Sequence, residues 1–150
     1  MPSISDNSKE VSGTIYGSYD YGFEGKGAWV GDAILAFDGH SPIKATFVDR
    51  NNSISRTPDG GIIGAETITL SLPDGGSFQI RAKFTGTPAA TPGLYTLHET
   101  GWIAHGTGSY SEISGHVVIE GPFLFPDKNA TPGPPPWIAT IHGVVSGLKQ

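Results

Sequence analysis

The sequence predicts an all-β fold, a single antiparallel meander of eight strands closed into a β-barrel. Three observations carry that expectation. Apolar residues recur with a period of two almost throughout. The alternating runs are bounded by glycine, proline, asparagine and aspartate at about ten-residue spacing, as in meanders. No stretch of ten or more residues keeps the apolar spacing of an amphipathic helix.

Taken in order, residues 11–21 are rich in Thr, Ile and Tyr, and residues 28–37 place Trp29, Ala33, Leu35 and Phe37 at alternating positions. Residues 43–50 set Ile43, Ala45 and Phe47 against Lys44 and Thr46, with Asp38-Gly39-His40-Ser41-Pro42 as the hairpin loop before them. A longer connection, residues 51–60, leads to a strand over 61–72. Its hairpin partner, 77–85, has the cleanest alternation in the chain: Phe78, Ile80, Ala82 and Phe84 on one face, Gln79, Arg81 and Lys83 on the other. Pro73-Asp74-Gly75-Gly76 joins the two, proline fixing one φ and glycine allowing positive φ. Strands over 93–105, 116–125 and 137–145 complete the set, with one short turn over 109–114.

A meander must hide its edges by closing into a barrel or folding into a sandwich. Glycines within the strands, among them Gly13, Gly17, Gly31, Gly64, Gly101 and Gly143, favour closure because they permit tight coiling. In a sandwich the same glycines would mark bulges. The expected organisation is a flexible tail over residues 1–9 and one barrel domain over 10–148.

Composition narrows the function classes. With 150 residues and no cysteine, the chain is long enough for a full core and is not a disulfide scaffold. Its net charge is −5, and its nine basic residues are scattered, so nucleic acid is not an expected partner. No run of 18 apolar residues occurs, and the first eight residues lack the cationic and apolar parts of a secretory signal. The expectation is a soluble, cytoplasmic protein without a membrane partner. Two proline-rich segments, 87–93 and 127–136, both contain Ala-Thr-Pro-Gly. They read as stiff loops at a rim, or alternatively as a polyproline ligand.

The stretch Trp102-Ile103-Ala104-His105-Gly106-Thr107-Gly108-Ser109-Tyr110, followed by Gly115-His116-Val117-Val118-Ile119, resembles the strand, glycine turn, aromatic and strand element of the allene oxide cyclase barrel superfamily. That superfamily includes the plant dirigent proteins and bacterial natural-product cyclases. The resemblance spans residues 101–147, with Pro126 and residues 137–143 similar to the closing strand. It implies an eight-stranded barrel, also lipocalin-like in plan, whose interior holds an apolar small molecule and in several members guides ring closure. The chain departs from the plant cyclases in its first strand, which lacks their acidic segment, so no catalytic residue is carried over. Independently of any family, Gly106 and Gly108 suggest unusual backbone angles and Tyr110 a ring folded back over the barrel end.

Motifs for thiol, serine, phosphate-loop or dinucleotide chemistry are absent from the sequence. No cofactor and no metal are expected. His98, Glu99 and His105 are the nearest approach to a ligand set, but adjacent strand residues face opposite sides. The residues that invite chemistry are acids on apolar faces. Glu66 falls in the row Ile62, Gly64, Glu66, Ile68, Leu70, and Glu99 in the row Tyr95, Leu97, Glu99, Gly101, Ile103. A buried carboxyl is costly unless it has a partner or a task. Either strand could instead be bulged so that its glutamate turns outward, or each acid could pair with Arg81, Arg50 or a tyrosine hydroxyl.

Glu66 and Glu99 are therefore the candidate catalytic residues, polarising a carbonyl or shuttling a proton. Tyr19, Tyr21, Tyr95 and Trp102 are the candidate ligand-lining residues. The expected function is a cofactor-independent cyclase or isomerase that holds a flexible apolar substrate in a reactive shape. A non-catalytic carrier of a small hydrophobic molecule and a carbohydrate-binding sandwich are the alternatives. Glycine-rich strands are also compatible with a homo-oligomer.

Overall fold

The structure, a computed structural model, describes residues 8–125 and 136–149. Its strands are β1 (Lys9–Asp20), β2 (Ala28–Phe37), β3 (Ile43–Arg56), β4 (Ile62–Ser71), β5 (Ser77–Pro88), β6 (Leu94–Thr107), β7 (Ser114–Leu124) and β8 (Pro136–Ser146). Each pairs antiparallel with the next, and β8 pairs with β1, so the sheet is a closed barrel and the sandwich is excluded. Residues 1–7 of the expected tail, Pro126 and most of the second proline-rich segment lie outside the described residues. Lys9 already pairs with Val145, so the sheet begins within the stretch expected as tail.

Alternation does the sorting. Ile15, Ala33, Leu35, Phe47, Ile68, Ile80, Ile119 and Ile141 point inward and are buried in one continuous core, while threonines, lysines and histidines occupy the intervening outward positions. That is the reverse of the pattern of a barrel surrounded by lipid. Among the described residues no helix is long and apolar enough to cross a membrane.

β3 and β5 run further than the sequence pattern indicates. In β3 the extension, residues 51–56, is exposed, so it has no apolar alternation to read. Its register against β4 slips between Asn51 and Ser53, which makes Asn52 an extra, bulged residue. A second slip lies in β6 opposite Ser77 and Gln79. There the positive φ falls on His105, at 55°, rather than on Gly106. Gly106 is required for a different reason: a Cβ there would sit 1.6 Å from the Tyr110 carbonyl oxygen. Gly108 does take positive φ, 61°, where the chain enters a 3-10 turn (Gly108–Tyr110).

That turn seals one end of the barrel. Tyr110 is buried with its ring 5.6 Å from Phe78, and Ile113 and Leu72 are buried in the same cluster. Asp74, in the β4–β5 turn, accepts hydrogen bonds from Ser109 Oγ and the Gly76 amide and so ties the turn to the plug. The other end carries a second 3-10 turn (Phe23–Gly25) between β1 and β2, and an aromatic cluster.

Candidate functional site

The functional interest of the molecule lies at the aromatic end. Trp29 contacts Tyr19 at 5.1 Å, Phe123 at 5.2 Å and Trp137 at 6.0 Å between ring centroids, and Tyr21 stands edge-on to Tyr19 at 5.0 Å. Phe47 meets Trp137 edge-on at 5.8 Å. These rings come from β1, β2, β3, β7 and β8, and only closure of the sheet brings them together.

Among these apolar walls sit three acids. Glu66 is 4% exposed, Glu99 0% and Asp49 1%. Both glutamates occupy the inward rows expected of them; the β3 bulge lies opposite Glu66 without turning it out. Asp49 was not among the sequence candidates. The signal was present, because Ile43, Ala45 and Phe47 continue by twos to Asp49.

None of the expected cationic partners reaches the cluster. Arg81 lies on the outward face of β5. Arg50 pairs with Glu24 at 2.6 Å and covers the Phe23 ring, holding the 3-10 turn (Phe23–Gly25) against β3. Asp49 Oδ1, Glu66 Oε2 and both Glu99 oxygens find no donor in the rest of the described protein. The acids act on one another instead, through two links, Asp49 with Glu66 and Glu66 with Glu99, each of which raises a pKa. Two ionised carboxylates are both acceptors, so each link requires a proton on one partner.

The electrostatics agree with that chemistry. Burial, and next the charge of Glu66, hold the Asp49 carboxyl well above the ordinary aspartate range. Glu99 is pushed well up by burial first, then by Glu66 and, more weakly, by Asp49. The arrangement is two buried acids of raised pKa, each acted on by Glu66. Among the described residues no group of three or more His, Cys, Asp or Glu side chains is placed to hold a metal. His98 in particular is exposed while Glu99 beside it is buried.

Asp49 is the member of the cluster nearest the barrel mouth, and is itself 1% exposed. It borders a pocket of about 210 Å³ at the barrel mouth, with Tyr19, Lys26, Gly27, Trp29 and Arg50 around it. Gly27 must lack a side chain, since a Cβ there would approach the Tyr19 hydroxyl to 2.4 Å. Tyr95 is at the same end but its hydroxyl accepts a hydrogen bond from Arg56 Nη1 at 2.9 Å. The Trp137 indole N–H is buried and has no acceptor among the described residues.

Trp102 departs from the expectation that it lines the interior. Its parity is opposite to that of Gly101 and Ile103, and it stands on the outer wall, 68% exposed. The structure thus gathers Glu66, Glu99, Asp49, Tyr19, Tyr21 and Tyr95 at or near one end and sets Trp102 apart. Compared with known proteins, the chain matches no family model, no curated protein and no solved structure.

Proposed function

We propose that the chain is a cofactor-independent isomerase or cyclase that acts by acid–base chemistry on a flexible apolar substrate bearing a carbonyl group. The observation that carries this reading is the row of three interior carboxyls without a cation, ending at Asp49 on the wall of the mouth pocket. A neutral buried acid donates a hydrogen bond that water would otherwise outcompete, and an ionised neighbour is a base in the same low-dielectric space.

In this reading Asp49 donates to the substrate carbonyl oxygen and polarises it. The Asp49 proton passes to that oxygen as the Asp49 carboxylate takes one from the adjacent carbon, forming an enol; the reverse transfers place a proton on another carbon and restore protonated Asp49, so the reaction has no net proton change. Glu66 and Glu99 supply and store the proton behind Asp49. The mouth pocket is smaller than the roughly 300–1,000 Å³ of ordinary ligand clefts. It takes the reacting end of the substrate, with Tyr19 and Trp29 as its aromatic wall. The resemblance to the allene oxide cyclase superfamily belongs to the same proposal, because barrels of that kind close rings on apolar guests.

The test uses simple cyclic enones in D₂O, followed by proton NMR. The expected outcome is enzyme-dependent exchange at the carbons flanking the carbonyl, lost in Asp49→Asn and Glu66→Gln. Exchange at the background rate for every ketone tried would overturn acid–base catalysis. A carrier, the second reading, is favoured by the aromatic mouth; it would bind the enones, seen as line broadening, without exchanging their protons.

A further inference from the structure

The outer wall of β3 to β6 carries a feature that the interior does not explain. Alternation places polar residues outside here, yet Trp102 stands exposed between Arg81 and His116, its cross-strand partners on β5 and β7. The His116 ring is 5.8 Å from the indole. An indole in water gives up the burial that such a ring normally supplies.

Beside it lies a concavity of about 420 Å³ bordered by Asn52, Ala65, Glu66, Arg81, Ala82, Lys83, Thr100 and Trp102, of which Glu66 is itself buried and leaves Arg81 and Lys83 as the exposed charges. It shares Ala65 and Lys83 with a neighbouring concavity of about 380 Å³ that reaches Ser53, Ser55 and Ile63, so the two form one furrow across the wall. The extra residue of the β3 bulge, Asn52, forms part of its border; its Nδ2 donates to Thr67 Oγ1 at 2.9 Å, leaving its carbonyl oxygen as an acceptor. Arg81 and Lys83 are two residues apart on the same outward face, and among the described residues neither has an ion pair or hydrogen bond. On a chain of net charge −5, two unpaired cations beside an exposed indole are a local reversal of sign.

We propose that this furrow binds an extended acidic saccharide, a chain of uronate or sulfated sugars. A pyranose ring has an apolar C–H face that stacks on an indole, hydroxyls that suit Asn52 and Thr100, and in this class an acidic group for Arg81 and Lys83. The shared furrow suits a linear chain rather than a single ring. A peptide adding itself as a strand is disfavoured, because a closed barrel has no free edge. Single-stranded nucleic acid stacks successive bases on several aromatics, and Trp102 is the one exposed aromatic at the furrow.

The probe is oligogalacturonate, read by tryptophan fluorescence and calorimetry at low and high salt. Trp29 and Trp137 are buried, so the fluorescence change reports Trp102. The expected result is saturable, salt-weakened binding that neutral cello-oligosaccharides do not show. Trp102→Ala and the double variant Arg81→Ala, Lys83→Ala should each weaken it roughly tenfold or more, and Trp102→Phe should retain most of it. All these residues are on the outside, and unchanged thermal unfolding of each variant confirms the fold. No binding, equal binding by Trp102→Ala, or equally tight binding of single-stranded DNA would overturn the proposal.

Discussion

The two ends of this barrel are built on opposite principles. One is sealed by a plug in which Tyr110 lies over Phe78 and the polar groups have partners: Asp74 accepts from Ser109 and from the Gly76 amide. The other holds a ring cluster around three buried acids that act on one another. The first end is optimised for stability. The second carries a cost that a purely structural core would have removed, since buried charges without partners are replaced profitably by apolar residues. Unequal treatment of acids within one small domain is what distinguishes the two ends.

The contrast gives opposite dependences on pH. Hydrogen bonds from Ser109 and then Gly76 lower the Asp74 pKa. Its contribution to stability is therefore present above the ordinary carboxylate pKa of about 4 and is lost as pH falls through the lowered native value. Asp49 and Glu99 are raised. The folded chain keeps their protons where the unfolded chain has released them, so stability declines as pH climbs from about 4 toward their native values.

The largest expected effect is at the sealed end. Tyr110→Ala empties the plug and should cost about 3–5 kcal/mol in urea unfolding, with the acid cluster still in place. Gly106→Ala should be comparably damaging, because its Cβ would meet backbone rather than a movable side chain. Next comes the aromatic end: Asp49→Asn with Glu99→Gln should flatten the fall in stability above the ordinary carboxylate range, measured as the slope of unfolding free energy against pH. A slope unchanged by both substitutions would erase the distinction between the ends. The smallest effect belongs to the outer wall. Glu120 is held below the usual range mainly by its hydrogen bond from His98, with a weaker one from His142. It is fully exposed there, so Glu120→Gln should leave the unfolding midpoint indistinguishable from that of the parent.

Much of this was legible in the sequence, and the reasons are specific. Period two fixes the side on which a residue lies, so the inward burial of Glu66 and Glu99 follows from their own strands. The same arithmetic reaches Asp49, but the apolar run of β3 ends there, and a carboxyl at the end of a run reads as the start of a loop. That Asp49 stands near Glu66 depends on pairing: its partner on β4 is Ile68, one inward position from Glu66. Such proximity belongs to the closed sheet and not to either strand. Trp102 shows the converse. Its indole suggests a place in an apolar lining, while its parity against Gly101 and Ile103 puts it outside.

The central claim is that Asp49 and Glu99 hold protons on either side of Glu66 at neutral pH. Carbon-13 NMR of the side-chain carboxyls, followed from pH 3 to 10, measures it directly. The account predicts that the Asp49 and Glu99 signals keep the protonated shift at pH 7, that both titrate well above the exposed acids, and that Glu66→Gln moves both downward. Titration of Asp49 and Glu99 near pH 4, unmoved by Glu66→Gln, would contradict it.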